Sequence, residues 1–349
     1  MRWPEKDAVR DGVMEMLKVN MGLRAGESVL VVSDLPDVSA WQNQPLSRLE
    51  AMCTRVALAR VVSDVAAAGF PDCEVAFLPF FATSGRLAEP DAGVAERLKA
   101  ADVVIGLTTY SLSHTDAREA ATEAGVRLAS MPGFETQMLE AGGPLAVDHT
   151  KIAAACRVIA DRLTAAEHVH VRTDYGTDLT FSLAGRPGQV DDGLYGTAPG
   201  LWGNLPAGET YAIPVEGTGE GRLVVPAGWY PELDEEMVFR FEAGLVVALS
   251  GGGTVGDEFR AQLKLERDDP VACRRRNLAE LGIGTNPNAR RPDNVLEAEK
   301  IKGTVHIAIG DNFHMGGTVE ADMHEDFVQP KPDLVLDGEM VIEKGEWRW

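Results

Sequence analysis

"VAERLKAADVVIGLTT", residues 94–109, reads as a helix that runs directly into a strand, and this order sets the class of the N-terminal half. Upstream, "ESVLVVSD" (27–34) reads as a buried strand that emerges into a polar loop. A long helical stretch then covers roughly 45–68, and "CEVAFLPF" (73–80) is the next strand. Downstream, "HTDAREAATEAGVRLASMP" repeats the alternation. At the start, "KDAVRDGVMEMLKVNMGL" places Val9, Val13, Leu17 and Met21 on one helical stripe. Strands separated by helices of this length need right-handed crossovers, which build a mostly parallel sheet.

The texture changes near residue 165, after the helix "TKIAAACRVIADRLTAAE". Glycine and proline become frequent, and short β-type runs follow: "HVHVRTD", "TDLTFSLAG", "RLVVPAG" and "EMVFRFEAGLVVAL". The expected architecture is a parallel-sheet α/β domain over 1–165, followed by a mixed, β-rich α+β domain over 166–349. "GTGEG" and "SGGGTVG" read as turns, because neither is expected to follow a strand and open a helix as a phosphate loop does.

The 349 residues are 45% apolar, enough for two domains with a substantial core. A formal charge of −21 argues against nucleic acid and anionic membranes, both of which need a basic footprint. Cysteines 53, 73, 156 and 273 show no paired spacing and read as reduced thiols. The N-terminus lacks an apolar signal core, and no apolar run approaches the roughly 18 residues of a membrane span. A cytoplasmic protein is the expectation.

Candidate ligands gather late in the chain. "ADMHEDFVQPKPDL" (321–334) sets His324 and Asp326 two residues apart, on the same side of an extended strand. "GTVHIAIGDN" (303–312) carries one imidazole, His306, which shares a face with Thr304 and Ala308. "LAELGIGTNP" (278–287) leads Glu280 into an apolar, glycine-rich segment, and "LPAGETYAIP" (205–214) does the same with Glu209. Burying a carboxylate is costly unless it is paired, protonated or metal-bound. "NVLEAEKIKGTVH" adds Glu297 and Glu299. Carboxylate oxygens and imidazole nitrogens without cysteine suit divalent zinc, cobalt, manganese or iron(II) better than a thiolate site.

"AGETYAIP", "AELGIGTNPNA", "EAEKIKGTVHIAIGD" and "MHEDF", in this order, resemble the thermophilic leucyl aminopeptidases of the aminopeptidase T and S type, over about residues 200–345. The resemblance implies one or two divalent ions (Zn, Co or Mn) on Glu209, Glu280, His306, His324 and Asp326, with Glu299 a further carboxylate. It also implies a homodimer that cleaves N-terminal residues from small peptides or related amides. A metal-activated water would attack, and Glu280 or Glu299 would move its proton. Glu297 is expected outside the ligand shell, in solvent.

Two positions depart from the aminopeptidases: Phe313 stands where they have tyrosine, and Asp322 where they have histidine. His314 or Asp322 is the expected substitute. Iron-dependent dioxygenases that open 2,5-dihydroxypyridine rings resemble the same family, and by count His306, His324 and Asp326 would supply their two-histidine, one-carboxylate set. Those enzymes have histidine where this chain has Glu280, so Glu209 and Glu280 favour hydrolysis. A non-enzymatic binding protein with a vestigial metal is the third reading.

Overall fold

Between residues 28 and 130 the chain lays down four strands, each separated from the next by helix: Ser28–Leu35, Glu74–Phe81, Val103–Leu107 and Arg127–Ser130. The structure, a computed structural model, describes residues 3–83, 85 and 88–348. All four strands pair in parallel, in the order 74–81, 28–35, 103–107, 127–130, and Trp202–Asn204 joins the far edge. The first strand therefore lies inside the sheet. Helix Lys6–Glu15 packs on helix Leu46–Gly69, and Ala92–Lys99 on Asp116–Glu123. Asp91 and Thr115 cap the last two helices by accepting bonds from their first free amides.

The molecule divides into two units, 1–150 with 193–207 and 151–192 with 208–349. The expected boundary at 165 is thus displaced. The helix His149–Ala165 runs almost wholly in the second unit, where Ile159 and Leu163 join its core. Residues 193–207 return to the first unit to supply its edge strand, an excursion with no composition signal.

The second unit has two antiparallel sheets. One has eight strands, from Leu245–Gly251 at one edge to Glu346–Trp347 at the other. The second has five, in the order His324–Gln329, Val305–Gly310, Leu278–Gly284, Glu209–Ala212, Gln189–Asp191. Apolar residues of both sheets share one core, which includes Leu179, Phe239, Leu281, Ile307 and Phe327. The mixed α/β fold, with a parallel sheet followed by a β-rich half, agrees with the expectation.

The "SGGGTVG" segment is a correction: it does join a strand, Leu245–Gly251, to a helix, Gly253–Leu263. The amide of Gly253 is nevertheless taken by Glu235 Oε1 at 2.6 Å, so a carboxylate already occupies that helix terminus. Among the described residues no helix is long and apolar enough to cross a membrane.

Phe327 has no exposed surface and lies against Phe239, Phe259 and Tyr230, with ring centroids 4.7, 5.3 and 5.5 Å away. Phe327→Ala should cost about 3–5 kcal/mol in urea unfolding. A loss below about 1 kcal/mol would show that this cluster does not hold the two sheets together.

Candidate metal centre

In the five-stranded sheet the two-residue period of the strands sorts the side chains by chemistry. Across the strands Glu280 stands opposite Ala308 and Ala308 opposite Asp326. Gly282 pairs with His306, Gly310 with His324, and Gly284 with Glu209. Tyr211 and Gln189 continue one of these rows, and Asp191 continues the row of Glu209. One face therefore carries Glu209, Tyr211, Glu280, His306, His324 and Asp326. The alternate residues Leu281, Ile283, Val305, Ile307, Ile309 and Phe327 all enter the core on the other face.

Small residues make room for the charged ones. A Cβ on Gly282 would stand 1.9 Å from His306 Nε2, so the imidazole lies directly over the neighbouring strand. A Cβ on Gly284 would meet the carbonyl oxygens of Ile301 and Glu299 at 2.1 and 2.8 Å, where the chain segment carrying Glu299 and Lys300 crosses the sheet.

The ligand-type atoms converge in two sets that share Glu280: Glu209, Glu280 and His306, and Glu280, His324 and Asp326. His306 Nε2 is 3.3 Å from Glu280 Oε1 and 3.5 Å from Glu209 Oε2. His324 Nε2 is 3.2 Å from Glu280 Oε2 and 3.5 Å from Asp326 Oδ1. His324 Nδ1 faces the Asp311 carbonyl at 2.7 Å, a contact that fixes the ring with Nε2 directed at Glu280 and Asp326. Lys300, wholly buried, places Nζ 2.5 Å from Glu209 Oε1 and 3.1 Å from Glu299 Oε2.

These charges shift one another. Burial pushes Glu280 up, but hydrogen bonds from His306 and His324 outweigh it and hold the carboxyl at about 2. Burial opposes the charge on Asp326 as well, yet His324 keeps it well below the carboxylate range. Desolvation disfavours the imidazolium of His306, and the bond to Glu280 reverses this, raising it to about 9. His324 is raised for the same reasons, chiefly by Asp326 against burial. Glu299 goes the other way: burial, joined by the charges of Asp326 and Glu209, pushes it up to about 8 against the pull of Lys300.

Such a donor set fits a divalent cation. It is buried and rich in carboxylate and imidazole, and Glu209 Oε2 has no hydrogen-bond partner.

The model of the NicX family, 2,5-dihydroxypyridine 5,6-dioxygenase, matches residues 15–348. The chain belongs to the 2,5-dihydroxypyridine 5,6-dioxygenase family. A solved structure of 2,5-dihydroxypyridine dioxygenase from Pseudomonas putida KT2440 is 19% identical, with a TM-score of 0.73 over 99% of this chain and 98% of that one. Wild-type AmpT from Thermus thermophilus is 17% identical, with a TM-score of 0.58 over 98% of this chain and 99% of that one. No curated protein matches.

The family match overturns the aminopeptidase reading. What this dioxygenase-family chain shares with AmpT is the fold. The expectation of a peptide or amide hydrolase is therefore corrected to membership of the dioxygenase family.

Of the residues singled out from sequence, Glu209, Glu280, His306, His324 and Asp326 lie together, and Glu299 joins them through Lys300. His314 belongs to neither set. It sits in the turn Phe313–Met315, edge-on to the exposed ring of Phe313. Asp322 does not stand in for a site histidine, because Arg275 grips both of its oxygens at 2.6 Å. Glu297, expected in solvent, is buried and accepts the amides of Arg290 and Arg291. The three residues expected by count, His306, His324 and Asp326, fall in two different converging sets that share Glu280. Sequence reasoning missed Lys300 and Tyr211. The run "EAEK" looks like a solvated helix end, and only the glycine at 284 hints that this run lies against the sheet.

Gly282→Ala should push the His306 ring off its strand and weaken manganese(II) binding by at least about tenfold, a loss of the size seen when a supporting group is removed. The apolar face is untouched, so the circular dichroism spectrum should not change. Unaltered metal affinity would show that the ring position is immaterial.

The pH dependence has a definite sign. With His306 and Glu299 raised to about 9 and about 8, the metal-free folded state holds more protons than the unfolded chain. The melting temperature of chelator-treated protein should therefore fall as pH rises from about 6.5 to about 9. The temperature gained on adding manganese(II) should grow over the same interval, because metal needs neutral imidazole. A metal-free melting temperature that is flat or rising there contradicts the charge assignment.

Proposed function

We propose that this chain is a metal-dependent dioxygenase that opens the ring of a dihydroxylated pyridine or a close N-heteroaromatic relative. The observation that carries the reading is the family match over nearly the whole chain, 15–348. It is supported by a buried carboxylate–imidazole cluster in the second unit. Glu280, His324 and Asp326 are the residues we assign to hold iron(II), a set of oxygen and nitrogen donors from neighbouring strands. The ion, when bound, supplies the redox chemistry that lets dioxygen react with an electron-rich ring.

The chain's own groups do the rest. Asp311, through its carbonyl, holds the His324 ring in the tautomer that leaves Nε2 for the metal. His306 donates to Glu280 and fixes the carboxylate that lies between the two imidazoles. Glu299 holds or releases a proton near neutrality because burial pushes it up to about 8, which suits exchange with a ring hydroxyl. Tyr211, whose hydroxyl donates to Gln189 Oε1 at 3.3 Å, leaves its oxygen as a neutral acceptor on the same face to orient a heterocycle.

The test is oxygen uptake. Protein loaded with iron(II) without air and then mixed with 2,5-dihydroxypyridine should consume one dioxygen per ring opened. With isotopically labelled dioxygen, both atoms should appear in the product. His324→Ala and Glu280→Gln should reduce uptake to background while leaving the first unit folded. Metal-loaded wild type that consumes no oxygen with any dihydroxypyridine isomer would end this reading.

A further inference from the structure

The sequence led to an expectation of one or two ions, and the geometry decides between them. Of the two converging sets, the one built on Glu209 contains a cation already. Lys300 has no exposed surface, and its ammonium lies 2.5 Å from Glu209 Oε1 and 3.1 Å from Glu299 Oε2. We propose that Lys300 is a built-in substitute for a second metal ion, which neutralises Glu209 and restricts the centre to a single ion at Glu280, His324 and Asp326. The proposal rests on the metal-binding part of the functional reading, and not on the identity of the substrate.

Three observations carry it. First, the ammonium cannot retreat. Its backbone is anchored by the Asn286 amide, which donates to the Lys300 carbonyl at 2.8 Å, and the segment lies tight on Gly284. A buried lysine with nowhere to go stays charged only beside an anion, and the Glu209 carboxylate 2.5 Å away supplies it. Second, a divalent ion on Glu209 would be held next to that fixed positive charge in a dry site, where like charges repel strongly. Third, the two imidazoles are supported differently. His324 has the contact behind the ring that metal-binding histidines have, from Nδ1 to the Asp311 carbonyl. His306 Nδ1 is buried with no hydrogen-bond partner, so nothing behind that ring orients its Nε2 toward a metal. His306 and Glu209 are thus positioning residues for the ion's carboxylate ligand, with Lys300 as their counter-charge.

Metal counting tests this without any turnover. Chelator-treated protein is saturated with manganese(II), and the ions per chain are measured by elemental analysis, with paramagnetic resonance as a second readout. Wild type should saturate at one ion per chain and give the spectrum of an isolated ion. Lys300→Met keeps the stem and removes the charge. It should take up a second ion and show the broadened spectrum of a coupled pair. Glu209→Gln should leave the count at one, and it decides the matter if Lys300→Met does not fold. Two ions in wild type, a folded Lys300→Met that stays at one, or a Glu209→Gln variant that binds none would each overturn the proposal. Wild type that binds no divalent ion would overturn the functional reading too, so the two failures are distinguishable.

Discussion

The structure depends on keeping six charged or polar side chains on one face of a sheet whose other face is mostly hydrocarbon. Desolvating carboxylates and imidazoles is unfavourable, and strand pleating is what confines that cost to one side. Leu281, Ile283, Val305, Ile307, Ile309 and Phe327 close the core beneath, while Glu280, His306, His324 and Asp326 stand above. A slip of one residue in any of these strands would exchange the two sets, so the register and the site are specified together.

Satisfying that face takes two further devices. Glycine at 282 and 284 lets an imidazole and a crossing chain segment lie against the backbone, where any side chain would exclude them. Mutual pairing does the remainder: each acid has a base, and Lys300 brings a fixed positive charge to the end of the cluster that the histidines reach least. The resulting shifts of Glu280 down and Glu299 up give two glutamates on one site opposite proton affinities, set by burial and by which groups each one meets.

The first unit follows a separate logic. Its inner parallel strands are buried, and the Asp34 carboxyl near the end of the first strand accepts the Thr109 amide at 2.8 Å. Burial raises that carboxyl, with Arg55 opposing. This is ordinary satisfaction of a buried acid.

The sequence by itself determined the fold class, because helical and strand periodicities are local and each strand's apolar alternation is written in consecutive residues. It also marked Glu209, Glu280, His306, His324 and Asp326, since a lone charge in an apolar run is visible without a structure. It could not separate the hydrolase from the dioxygenase reading, because a set of oxygen and nitrogen donors suits metal chemistry of either kind. Only the tertiary structure decided that His314 stands apart, that Arg275 has claimed Asp322, and that Lys300 reaches Glu209 from a distant position. Those outcomes depend on which strands become neighbours and in what register, and a pairing between residues about ninety positions apart leaves no trace in the local pattern of either.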